Sequence, residues 1–125
     1  MASRDRWTER RSRRTGRAAL GAARYREHVY TGTALFDVLL PDDSNSLKAK
    51  RAYVRPVVAA LRKLDVAVAE VGDQELHRRS QLGVAAVSGD SGHLTEVLDA
   101  CERLVAGRPE LELLSVRRRR YGADD

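Results

Sequence analysis

The sequence predicts an α+β fold, a four-stranded antiparallel sheet with two helices on one face, and three observations predict it. Four short stretches read as strands, the first with clear period-two alternation. Two longer stretches carry apolar residues at helical spacing. The order is strand, helix, strand, strand, helix, strand, which makes two βαβ-like halves. Together these give the ferredoxin-like βαββαβ two-layer sandwich. Right-handed crossovers place the first and third strands side by side in its centre.

Residues 29–40 form the first strand. Ala34, Phe36, Val38 and Leu40 fall on one face, and Thr31, Thr33, Leu35, Asp37 and Leu39 on the other. Pro41, Asp42, Asp43, Ser44 and Asn45 then break it. Ser46 is the N-cap of a helix over 47–64, whose core stripe is Leu47, Val54, Val57, Val58, Leu61 and Leu64. Pro56 lies well inside that helix, so a kink or break is expected near Tyr53. Asp65 turns the chain into a second strand, 66–71. A polar connector over 72–81 leads to the third strand, 82–88, which Gly89 and Asp90 end. Asp90 or Ser91 caps the second helix, which runs to 106 on Leu94, Val97, Leu98, Cys101, Leu104 and Val105. Gly107 and Pro109 stop it. The fourth strand spans 111–116, and Arg117 to Arg120 follow it.

This organisation gives one domain over 29–118, a basic leader over 1–28 and a short tail over 119–125. A length of 125 residues suits a single domain, and 42% hydrophobic residues allow a modest core. The leader holds nine arginines against Asp5, Glu9 and Glu27, a net +6; the remainder carries −1, so the basic balance belongs to the leader. Such a block cannot collapse, and it is expected to be disordered or transiently helical. It has three readings: a nucleic-acid-binding arm, a targeting signal, or a mis-assigned start with Val29 as the true initiator. A secretory signal is disfavoured, because the apolar run at 18–23 is short and broken by Gly21. No apolar run is long enough to span a membrane. With Cys101 as its one cysteine, the chain has no internal disulfide and no cysteine zinc cluster.

The sheet face away from the helices should be polar in a two-layer monomer. Here it carries Leu35, Leu39, Ala67, Ala69, Val71, Gly83, Ala85 and Val87. An apolar open face suggests a cover, most simply a second copy of the chain. Small residues add little area, which is the opposing reading.

Three segments occur together: Ser46-Leu47-Lys48-Ala49-Lys50-Arg51; Val68-Ala69-Glu70-Val71-Gly72-Asp73-Gln74 followed by Glu75-Leu76; and Gly83-Val84-Ala85-Ala86-Val87-Ser88-Gly89-Asp90 followed by His93. In these the chain resembles the bacterial DUF503, or YlxP-like, family over about 29–119. The resemblance implies a small cytoplasmic protein of ferredoxin-like fold with no established activity or cofactor. Family genes commonly neighbour those for translation initiation, transcription termination and ribosome maturation factors, which implies a ribosome- or RNA-related role. Two departures are His77, where many members have Trp, and Pro56. Members usually begin near the first strand, which counts against the leader.

Candidate binding residues follow from charge. Lys48, Arg51, Arg55 and Arg62 fall within about 60° on the first helix and form a basic ridge beside its apolar stripe. Such a ridge can track a phosphate backbone without reading bases. Lys50 and Lys63 lie outside it. Arg78 and Arg79 in the long connector, and Arg117, Arg118, Arg119 and Arg120 after the fourth strand, extend the set. The opposing reading for each group is a solvated surface.

Catalysis finds no support. His77 with Asp73 or Glu75 has only Ser80 as a nearby nucleophile, and no phosphate-cradling glycine loop is present. The histidines lack metal spacing, and Cys101 sits on an apolar stripe as a core residue. The open face has no aromatic pair for base stacking, so RNA would be held by shape and phosphate. The expectation is a non-enzymatic, cytoplasmic accessory factor, without cofactor or metal, that binds ribosomal RNA or a ribosomal subunit. The alternative is a homodimeric protein-interaction module working through the open face.

Overall fold

The computed structural model describes residues 28–122. Six elements follow in order: β1 (Tyr30–Leu39), α1 (Leu47–Arg62), β2 (Ala67–Gly72), β3 (Arg79–Ser88), α2 (Ser91–Ala106) and β4 (Glu112–Tyr121). The sheet order is β2-β3-β1-β4 with every pair antiparallel, and both helices lie on one face. This is the ferredoxin-like α+β sandwich. The leader falls outside the described residues but for its last position, His28, whose ring stacks on Tyr30.

The core lies between sheet and helices. Phe36, Val38, Leu82, Val57, Leu61, Leu98, Cys101 and Val105 are completely buried. Each fully buried aliphatic side chain contributes about 1.5–3 kcal/mol. Gly32 lets α2 approach β1, since a Cβ there would meet Leu98 Cδ1 at 2.9 Å. Both helices begin on side-chain caps. Ser46 Oγ accepts from the Ala49 amide, and Asp90 Oδ1 accepts from the amides of Gly92 and His93.

Several boundaries differ from the sequence expectation. α1 runs unbroken through Pro56, because the proline and Ala52, whose carbonyl it leaves unpaired, are both exposed to water. β3 starts three residues early, at Arg79, so the connector shortens to 73–78. β4 continues through Arg119, Arg120 and Tyr121, residues assigned above to the tail. Pairing with β1 explains the extension: Arg119 faces Thr33, Arg120 faces Gly32 and Tyr121 faces Thr31. A bulge between Ser115 and Leu113 interrupts the alternation of β4 and masks it in the sequence.

Candidate nucleic-acid interface

α1 holds Lys48, Lys50, Arg51, Arg55 and Arg62 and no acidic residue. Helical spacing sends these cations in two directions. Lys48, Arg51, Arg55 and Arg62 are exposed, and among the described residues none has an ion pair or side-chain hydrogen bond. The predicted ridge therefore exists as an unneutralised stripe about four turns long.

Lys50 does the opposite. It continues the buried stripe of Val54, Val57 and Leu61 and is only 3% exposed. Its Nζ donates to the Asp73 carbonyl at 2.5 Å and lies 3.1 Å from Glu70 Oε2. Ser80 Oγ, itself buried, donates to the same carboxylate oxygen at 2.5 Å. Asp73 adopts a left-handed backbone, φ 58°, which turns the connector toward the ammonium. Sequence reasoning missed this set, yet a signal existed: a lysine at the i−4 position of a stripe otherwise made of valine and leucine.

A cavity of about 390 Å³ opens over this pair. Leu47 and Val54 form apolar wall, the buried Lys50 and partly buried Glu70 contribute the ion pair, and Arg51, Arg55 and Gln74 complete the lining.

The other predicted cations are mostly engaged. Arg78 pairs with Asp42 at 2.7 Å and donates to the Leu40 carbonyl. Ser44 Oγ, fully buried, donates to the His77 carbonyl, so the connector is tied down at three points. Arg79 pairs with Asp37 at 2.6 Å. Alternation along β4 splits the arginine run. Arg118 turns toward α2 and bonds Asp99 and Glu102 at 2.7 and 3.2 Å. Burial pulls the Arg118 guanidinium down, but the hydrogen bond to Asp99 and the neighbouring carboxylates outweigh it and hold it raised. Arg120 donates to the Ser91 carbonyl. Arg117 and Arg119 point to the open face, exposed and without a partner among the described residues.

The open face carries the expected apolar residues. Val71 is 56% and Val87 72% exposed, and a shallow apolar trough of about 370 Å³ runs over Leu35, Ala67, Ala69, Gly83 and Ala85. Cys101 is a packed core residue, and burial pushes its thiol up despite the opposing pull of Arg118. Among the described residues no three His, Cys, Asp or Glu side chains are placed to hold a metal ion, and no helix is long and apolar enough to cross a membrane.

A family model described as a protein of unknown function, DUF503, matches residues 31–118. This chain belongs to the DUF503 family. One relative is the Uncharacterized protein YlxP of Bacillus subtilis (strain 168), 31% identical over 71 residues, which are 56% of this chain and 77% of the relative. The segments that carry the DUF503 resemblance now have places. The first opens α1 and supplies Lys48, Lys50 and Arg51. The second forms β2 and supplies Glu70 and Asp73. The two meet at the buried Lys50–Glu70 pair, beneath the basic ridge. The third forms the central strand β3 and the Asp90 cap of α2.

Proposed function

We propose that this DUF503 chain is a non-enzymatic accessory factor that docks on ribosomal RNA or a ribosomal particle through the outer face of α1. One observation carries the reading: Lys48, Arg51, Arg55 and Arg62 stand together, exposed and unpaired among the described residues, on a helix with no acidic residue. Arg78, Arg79 and Arg118 are ion-paired and Arg120 bonds a carbonyl, so they support structure first. Four phosphate contacts give log affinity a slope of about −3 to −4 against log salt. The role is cytoplasmic, where its RNA partner resides. The test is co-sedimentation with ribosomal subunits across a salt series. The wild type should pellet at low salt and release steeply as salt rises, and Arg51→Glu/Arg55→Glu should stay in the supernatant while keeping its thermal melt. A wild type that never pellets at low salt overturns the reading.

A second reading rests on a different surface. The exposure of Val71 and Val87 beside an apolar trough favours a homodimeric interaction module that buries the open sheet face. Three ten-residue strands and the six-residue β2 side by side offer on the order of 600 Å² per partner, at the small end of specific interfaces. Light scattering decides it: a salt-independent dimer supports the module, and a monomer at high concentration removes it.

A further inference from the structure

The cavity over the Lys50–Glu70 pair has a chemistry that the phosphate ridge alone does not explain. Glu70 Oε2 is occupied, because it takes both the Lys50 ammonium and the Ser80 hydroxyl. Among the described residues Glu70 Oε1 has no protein donor, and it is not among the buried atoms left without one. With the side chain 26% exposed and lining the cavity, Oε1 is the carboxylate oxygen left open to the space. Lys50 balances its charge from below. Arg51 and Arg55, one helical turn apart, supply positive charge at the rim. Gln74 donates one of its two side-chain N–H groups to the Glu70 backbone carbonyl at 3.0 Å, and its side-chain oxygen stays available as an acceptor. The site thus combines cations for a phosphate, apolar wall from Leu47 and Val54, and acceptors on Glu70 and Gln74.

We propose that this cavity takes one nucleotide of a single strand, its phosphate on Arg51 and Arg55 and the exocyclic amine of cytosine or adenine on Glu70 Oε1. A carboxylate oxygen accepts from such an amine, as it does from cytosine N4. Uracil presents a carbonyl oxygen at the same position, facing a carboxylate with no proton to give. Single-stranded bases are read on such edges once they leave the stack. The volume of about 390 Å³ falls in the range of small-ligand sites. The proposal rests on the ridge reading for its phosphate contacts and adds base selection to it.

The test compares oligocytidine with oligouridine of equal length by fluorescence anisotropy, so that the ridge contributes equally to both. Oligocytidine should bind at least tenfold more tightly. Glu70→Gln, whose side-chain amide donates as well as accepts, serves the uracil carbonyl and the cytosine amine alike and should bring that ratio close to one. Because Glu70 also holds Lys50, amide chemical shifts of the wild type titrated with cytidine monophosphate give an independent readout. They should move at Leu47, Lys50, Arg51 and Gln74. Equal, salt-dependent binding of both oligomers overturns the pocket while leaving the ridge reading intact. Pocket shifts with cytidine monophosphate but no oligomer binding overturn both the ridge and the proposal, because the cavity then takes a free nucleotide and not one within a strand. Shifts confined to other surfaces, or no response to any probe, overturn the pocket.

Discussion

At the scale of single residues, Lys50 shows how one position can invert the behaviour of its neighbours. A lysine ammonium taken out of water is costly unless it is paired and hydrogen-bonded. Here Glu70 and the Asp73 carbonyl meet that requirement. Lys50→Ala leaves the half-buried Glu70 with only Ser80 and should lower stability by about 3 kcal/mol. Arg51→Ala, on the exposed ridge, should stay within about 0.5 kcal/mol of wild type. Urea melts of both variants check the contrast, and Lys50→Met/Glu70→Gln should recover part of the loss seen in Lys50→Met alone. Cys101 gives a second residue-scale test. Its thiol is raised by burial, so folded and unfolded chains hold the proton equally below the ordinary thiol value of about 8.5. Above that value the unfolded chain releases the proton first, and stability falls as pH rises toward the folded value. Between pH 7.5 and 10.5 the wild type should therefore lose more of its melting temperature than Cys101→Ala loses of its own. Parallel curves would show that Cys101 plays no part.

Elements add constraints that residues do not carry. The ridge is a property of α1 as a rod: four cations share a face only because residues three, four and seven apart line up. An insertion of two alanines after Ala52 would keep every charge yet rotate Arg55 and Arg62 away from Lys48 and Arg51. β4 is a second case. Its final residues pair with β1 out to Thr31, and Arg118 clamps the strand to α2 through Asp99 and Glu102. Deleting residues 119–125 should reduce stability by at least about 2 kcal/mol, since it strips ladder bonds and exposes the end of the central strand β1. If truncated and full-length chains melt together, those residues are a tail after all. In the sequence this extension was concealed by the bulge near Leu114 and by four arginines in succession, whose even members face the helix layer. The start of β3 is hidden in the sequence for a related reason. Arg79, Ser80 and Gln81 are polar, yet β1 pairs with all three, and backbone pairing does not depend on an apolar side chain.

The whole molecule sorts its charge by layer. The ridge lies on the helix side, whereas Arg117 and Arg119 lie across the sheet on the open face. A single flat polyanion cannot reach both. Arg117→Glu/Arg119→Glu should therefore leave ribosome co-sedimentation within about threefold of wild type if α1 is the docking surface. A loss equal to that of Arg51→Glu/Arg55→Glu would mean that the partner wraps the domain. The open face carries its own expectation. If two copies join there, Val87→Lys places a cation within the contact, near the end of β3, and should convert a dimer to a monomer in light scattering, with the fold kept because Val87 is 72% exposed.

The sequence alone determined the element order, the Ser46 cap, the core face of α2, the set of ridge cations and most of the core face of α1, where Leu47 proves exposed and Lys50 buried; it left the second cap between Asp90 and Ser91. Each of these depends on spacing within one segment, and the periods of helix and strand are local facts. Tertiary structure decided which cations are free. Arg78 finds Asp42, Arg79 finds Asp37 and Arg118 finds two carboxylates on α2, partners 16 to 42 positions away in the chain. It also decided that Lys50 and Glu70, twenty residues apart, share one buried site with Ser80. Charge pairing is a matter of distance in space, and only the folded sheet and helices set those distances.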